Sequence, residues 1–281
     1  MRINTNTSAM NTLRVLAQTD QALSRSIGRL SSGFRINRAS DDAAGLAIAN
    51  QLRADLGAMR QATRNAEQST SLLQVAEGGA TGIQNILTRM KELASQASSD
   101  NVDDTGRARI DIEFQELQLE VERIADSTEF SGVNLLNDNG GVTLTLDFIV
   151  GASSTIANDT ISIATASLDL QGATLGITGG LNDDVLTKVD AQAMLGLIDT
   201  AIETVSDVFA ELGAKMNRID IALTQARITV ENTAAAESVI RDADMAAEFT
   251  ELTKNQILQQ AGVSVLAQAN AKSQSVLSLL Q

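Results

Sequence analysis

The sequence predicts a mainly α-helical protein: an elongated helical bundle and coiled coil built from both halves of the chain, with a small β-hairpin element in the middle. The first observation is apolar spacing. From Leu195 to Val230, alternating steps of three and four residues reach an apolar side chain every time, as in the seam of a long helix. The second is the absence of proline, the strongest helix breaker. The third is a short central stretch in which apolar and polar residues alternate, as in strands.

The long seam predicts the core of the bundle. At about 1.5 Å per residue the segment spans on the order of 54 Å, so it needs long partner helices. We predict that these contacts lie mostly within one chain, with an intermolecular coiled coil as the alternative. The predicted bundle-core residues are Leu195, Ile198, Ile202, Val205, Phe209, Leu212, Met216, Ile219, Leu223 and Val230.

Segments in the first half of the chain supply those partners. Helices are predicted over 42–76, 83–97 and 106–126, with a stop or kink at Glu77-Gly78-Gly79 between the first two. Strands are predicted over 142–150, where apolar residues alternate with polar ones, and at Ile161-Ser162-Ile163.

Both ends of the chain carry weaker amphipathic helices, at residues 5–34 and 246–280. Their apolar stripes are narrow, and the remaining faces are rich in Ser, Thr, Asn and Gln. Helices of this kind are marginal alone, so we predict that they form an interface between subunits. The predicted inter-subunit residues of this inner coiled coil are Leu13, Leu16, Leu23, Ile27, Leu30, Phe34, Phe249, Leu252, Leu258, Val265, Leu266, Val276 and Leu280.

The predicted organisation is nearly symmetric about the middle of the chain. The terminal helices belong to one coiled coil, the inner helices belong to the bundle, and the β element separates the two halves. The predicted boundaries are 1–40 and 241–281 for the coiled coil, 41–140 and 186–240 for the bundle, and 141–185 for the β-hairpin element.

Composition argues against catalysis and against most cofactors. The chain has no His, Cys, Pro, Trp or Tyr, so it lacks an imidazole base, a thiolate nucleophile and the usual ligands of zinc or copper. The acidic turns lack the ligand spacing of a calcium loop. The acidic residues from Glu113 to Glu122 indicate a helix face that contacts solvent or a neighbouring chain. We therefore predict no enzyme activity, no cofactor and no metal site. A net charge of −14 argues against nucleic acid as a partner.

The ends of the chain also carry recognisable motifs. NTN stands at residues 4–6, LSSGFRINRASDDAAGLAI at 30–48, NQILQQAGVSVLAQAN at 255–270 and VLSLL at 276–280. These motifs closely resemble bacterial flagellin, and the resemblance covers about residues 1–140 and 185–281. It implies a structural subunit that polymerises into the flagellar filament for swimming motility. With only about forty residues between the two halves, the chain resembles a minimal flagellin without inserted outer domains.

The resemblance also implies a location and partners. It places the protein outside the cell in the filament, exported through the flagellar channel without a cleaved signal, although composition alone suggests a cytosolic protein. The implied partners are further copies in a helical homopolymer, an export chaperone on the C-terminal helix, and the filament cap and junction proteins. No membrane insertion is predicted, because no apolar run approaches the roughly 18 residues of a span.

One further contact follows from the resemblance. Flagellins recognised by Toll-like receptor 5 carry a helical contact region that resembles residues 87–96 here. Thr88 and Lys91 depart from the usual pattern of that region. The residues that match the implied innate-receptor contact are Arg89, Leu93, Gln96 and Glu113.

The alternative from the same lineage is a hook–filament junction protein or another filament-associated protein, which would share similar terminal helices. The motif at 255–270 favours flagellin proper. A junction protein is also not expected to form long filaments alone.

Overall fold

The computed structural model describes residues 6–137, 145–151, 159–178 and 184–278, with side chains up to residue 272. The predicted interface residues Val276 and Leu280 therefore fall outside the described side chains. The chain divides into two compact units. The terminal unit comprises 1–56 and 231–281, and the bundle unit comprises 57–230. The described helices are α1 (Thr7–Ser32), α2 (Ala43–Ala97), α3 (Asp104–Ser127), α4 (Lys188–Arg241) and α5 (Met245–Ser278).

Short polar signals set the ends of α1. Asn6 precedes the helix, and its side chain accepts a hydrogen bond from the Ala9 N–H at 3.1 Å. At the other end Gly33 adopts a left-handed conformation with φ of 75°, and its N–H donates to the Arg29 carbonyl at 2.8 Å. The helix predicted over residues 5–34 is therefore present and ends at Ser32.

Helix α2 runs without interruption from Ala43 to Ala97, so the predicted stop at Glu77-Gly78-Gly79 is wrong. Gly79 serves packing instead. A Cβ at Gly79 would lie 2.5 Å from Thr128 Oγ1 and 2.7 Å from a Leu136 methyl carbon. Gly79 thus lets the segment after α3 lie directly against α2. Glycine costs a helix only about 1 kcal/mol, which the surrounding contacts outweigh.

Helix α3 carries three buried polar residues, which tie irregular backbone to the bundle. Arg107 donates to the carbonyls of Ala97 and Ser99 and so caps the end of α2. Asp111 accepts the Val185 N–H at 3.0 Å. Gln118 donates to the Ile177 carbonyl at 2.6 Å. Because buried backbone groups need partners, these side chains make it possible to pack non-helical segments against the helix.

The middle of the chain forms two small antiparallel hairpins. Strands β1 (Glu129–Phe130) and β2 (Val133–Asn134) flank a two-residue turn whose residues both have positive φ, Ser131 and Gly132. Strands β3 (Thr145–Ile149) and β4 (Thr160–Ala164) pair with Thr145 opposite Ala164. A 3₁₀ helix, Thr165–Leu168, follows β4. Both predicted strands therefore exist, and the part of the first at 142–144 lies outside the described residues.

The bundle core lies along α4. Ile198, Val205, Leu212 and Ile219 recur every seven residues and are fully buried. Their buried companions on the helix are Ala191, Met194, Ala201 and Val208, so the buried stripe is rotated slightly from the predicted one. The remaining predicted core residues are half-buried: Leu195, Ile202, Phe209, Met216 and Leu223 at the edge of this cluster, and Val230 beyond it.

A charge in this core should unfold the bundle. We expect Leu212→Asp to lower the free energy of unfolding of the monomer in urea by roughly 3–5 kcal/mol, because it buries an unpaired carboxylate. Ile221→Asp, on the same helix but 70% exposed, is the matched control and should change it by less than about 0.5 kcal/mol. Equal stability of the two variants would contradict the assignment of the core.

Candidate subunit interface on the terminal helices

Helices α1 and α5 pair in an antiparallel arrangement, and polar contacts along the pair fix its register. The Asn6 side chain donates to the Ala269 carbonyl at 3.1 Å. The Gln259 amide donates to Asp20 at 2.7 Å. Near the other end Arg29 and Glu248 form an ion pair at 3.7 Å. As the residue number rises on α1 it falls on α5, so the two helices run in opposite directions.

The seam between α1 and α5 combines half-buried leucines with small and polar side chains. Thr19, Ser26 and Asn255 are buried there. A Cβ at Gly262 would lie 3.2 Å from a Leu16 methyl carbon. The backbones of α1 and α5 lie close together, with Cα atoms of the two helices within 8 Å of each other. The pair is therefore held together by close backbone approach as well as by apolar side chains.

The predicted inter-subunit residues divide into two groups. The first group is half-buried, either in the seam or at its end. The second group is exposed and faces away from the seam. The half-buried residues are Leu16, Leu23, Leu30, Phe34, Leu252 and Leu266, and the exposed residues are Leu13, Ile27, Phe249, Leu258 and Val265.

Sequence reasoning missed both the polar seam and part of the outward apolar surface. Thr12, Leu16, Thr19, Leu23, Ser26 and Leu30 follow the alternating spacing of a coiled coil, so the spacing was a signal, but its polar members concealed it. The exposed large apolar residues that were not predicted are Met10 and Val15 on α1 and Met245, Ile257 and Val263 on α5. We define the outward apolar surface as these five residues with Leu13, Ile27, Phe249, Leu258 and Val265.

Next to the helix pair, two chain segments are joined by their backbones. The Arg35 N–H donates to the Arg241 carbonyl at 2.7 Å, and the Ala243 N–H donates to the Gly33 carbonyl at 2.9 Å. The Arg241 guanidinium lies 4.2 Å from the centre of the Phe34 ring, a cation–π contact. Phe34 thus contacts the end of α4 instead of extending the seam of α1.

Charge is distributed unevenly between the two units. The terminal unit contains ten basic and ten acidic residues, so the net charge of −14 falls wholly on residues 57–230. A neutral surface can pack densely against its own copies without the repulsion that a strongly charged surface would meet.

The residues that match the innate-receptor contact lie together in the bundle unit. The Arg89 guanidinium donates to Glu113 at 2.8 Å and pairs with Glu92 at 3.0 Å. Arg89, Glu113 and Gln96 are exposed, whereas Leu93 is buried in the bundle core with 2% exposure.

Within the described part of the chain, no three or more acidic side chains are grouped closely enough to hold a metal ion. No helix of that part combines the length and the apolar character that crossing a bilayer requires.

Comparison with known families identifies these helices. The family model of the bacterial flagellin N-terminal helical region matches residues 3–140, and that of the C-terminal helical region matches residues 195–280. The chain belongs to the bacterial flagellin family. Both matched regions therefore include a terminal helix of this flagellin-family chain together with its bundle helices.

Full-length relatives agree. The chain is 39% identical over 281 residues to a flagellin of Halalkalibacterium halodurans and 37% identical over 293 residues to the flagellar filament 31.3 kDa core protein of Treponema maltophilum, with all of each chain covered. A solved structure from Vibrio parahaemolyticus, described as that of a flagellar hook-associated protein, is 15% identical with a TM-score of 0.54. It covers 72% of this chain and 99% of its own, and it shows a shared fold alone.

Widening the seam should separate the two terminal helices. We expect Gly262→Val to cost the flagellin-family helix pair about 1–3 kcal/mol by overpacking against Leu16. The free energy of opening of α1, measured by amide hydrogen exchange of residues 7–32 in the monomer, should fall by the same amount. The control is Ala261→Val, which introduces the same β-branched side chain at an exposed position on the same turn. It should leave the exchange unchanged. Identical exchange in both variants would argue against a close-packed seam.

Proposed function

We propose that this chain is a structural subunit that polymerises into the bacterial flagellar filament and serves swimming motility. The outward apolar surface of α1 and α5 carries the proposal. Large apolar side chains face solvent, while small and polar side chains such as Thr19, Ser26 and Asn255 are the buried ones. This is the reverse of the arrangement expected of a helix pair that works alone.

Further copies of the same chain are the natural cover for this surface. Burying a large apolar side chain contributes about 1.5–3 kcal/mol, and ten such residues lie exposed on the described parts of the two helices. A monomer cannot bury these residues on both sides of a two-helix pair. A helical homopolymer can, because each copy presents the same surface to its neighbours.

The family and the full-length relatives support the filament subunit over the junction protein. Relatives named flagellin or flagellar filament core protein align over all of both chains. Only the fold is shared with the hook-associated protein. In the proposed role the chain is a building element outside the cell and performs no catalysis.

We also propose that α5 binds an export chaperone before assembly. Phe249, Ile257, Leu258 and Val265 are all exposed along one helix. Apolar surface of this extent favours aggregation unless a partner covers it. Cap and junction proteins at the ends of the filament are proposed to contact the same helices where no neighbouring copy is present.

The proposed Toll-like receptor 5 contact rests on an exposed patch of three side chains. Arg89, Gln96 and Glu113 are accessible for direct contact. Leu93 packs in the core and would support α2 from beneath, so its proposed role is indirect.

Removing outward apolar side chains should prevent assembly without unfolding the monomer. We expect Phe249→Ser with Leu258→Ser to raise the lowest concentration at which filament seeds elongate by about 100-fold or more, because roughly 3–6 kcal/mol of burial is lost per subunit. Growth is measured by electron microscopy and sedimentation. The helical circular dichroism of the monomer should be unchanged, since both side chains are exposed there.

The control is Val189→Ser, which removes an exposed apolar side chain outside the terminal helices. It should elongate seeds like the unmodified chain. Normal growth of the double variant would refute the interface.

A further inference from the structure

A polar cavity lies beside α1 in the terminal unit. Its volume is about 200 Å³, and its walls come from one face of α1 and from the loop that leads to α2. Three arginines, Arg25, Arg29 and Arg38, line it together with a single carboxylate, Asp41. The cavity therefore has an excess of positive charge in a chain whose net charge is −14.

Asp41 fixes the loop that lines the cavity, but its single negative charge does not cancel the three positive charges of the arginines. Its Oδ2 accepts the backbone N–H groups of Arg38 at 3.0 Å and of Asn37 at 3.2 Å. These two hydrogen bonds, more than the nearby guanidinium charges, lower the pKa of Asp41. The carboxylate thus remains ionised and holds the loop in a turn that presents Arg38.

Among the described residues, two of the three guanidinium groups make no ion pair and no hydrogen bond. Arg29 pairs with Glu248 on α5. Arg25 and Arg38 have neither an ion pair nor a side-chain hydrogen bond among the described residues. The planar fork of arginine matches a carboxylate, which can accept two parallel hydrogen bonds. An anionic group such as a carboxylate therefore fits this cavity.

We propose that the arginine cavity receives a carboxylate from residues 57–230 of a second copy of this chain. Charge complementarity selects this partner. Positive and negative residues balance within the terminal unit, whereas the bundle unit carries the entire acidic surplus. In a homopolymer every neighbour offers that surplus. The inference rests on the proposed filament function and adds a specific ionic contact to the apolar one.

Charge reversal in the cavity tests the proposal. Arg25→Glu with Arg38→Glu should reduce the elongation rate of seeds at least ten-fold, and Arg25→Lys with Arg38→Lys should retain most of it. Arg53→Glu with Arg60→Glu makes the same change of charge at exposed positions outside the cavity and should elongate normally. Growth of the cavity variant at the rate of this control would overturn the inference and leave the proposed function standing.

Crosslinking identifies the occupant. p-Benzoylphenylalanine placed at position 38, in filaments grown from a mixture of ¹⁵N-labelled and unlabelled subunits, should crosslink between copies to a peptide of residues 57–230 that contains Asp or Glu. Crosslinks confined to one copy, or only to residues 1–56 or 231–281, would overturn the inference. If the unmodified chain does not elongate seeds, the proposed function fails and the inference fails with it.

Discussion

The arrangement of the terminal unit depends on one constraint, the close approach of α1 and α5 through small side chains. Gly262 faces Leu16, and Thr19, Ser26 and Asn255 occupy places where a self-sufficient coiled coil would have leucines. Because polar side chains take some of the buried places in the seam, several large apolar residues remain on the outside of the pair. The same choice of side chains therefore pairs the helices within one chain and leaves apolar outer faces for the proposed contacts with other chains.

The bundle unit differs from the terminal unit in where its apolar side chains are buried. Its core is sufficient within one chain, since residues such as Ile198, Val205 and Leu212 are fully buried. The irregular segments need polar anchors, which Arg107, Asp111 and Gln118 provide from a single helix. The bundle unit thus buries its apolar core within one chain and carries the net charge, while the terminal unit has no net charge and exposes large apolar side chains.

Much of this architecture could be predicted from the sequence, because long apolar periodicity without proline leaves few alternatives to helices. The end of α1 before Gly33 follows a local rule, and so do the long α4 and both strands. The continuity of α2 through Gly79 could not be predicted. That glycine is needed because Thr128 and Leu136, which are distant in sequence, pack too closely for a Cβ. The seam was hidden for a similar reason: burial of Thr19 or Asn255 depends on the partner helix, whereas their polarity suggests exposure. The arginine cavity also combines a helix with a loop, so linear spacing gives no sign of it.

Because the chain contains no cysteine, single introduced cysteines can test directly whether other copies cover the outward apolar surface. Single cysteines replace Leu13 and Leu258, both exposed on the terminal helices, and maleimide labelling is compared between monomers and seeded filaments. Labelling of both filament and monomer samples after denaturation controls for total thiol. We expect rapid labelling of both positions in the monomer and at least ten-fold slower labelling in the filament. Equal rates in the two states would show that the surface stays exposed and that other copies do not cover it.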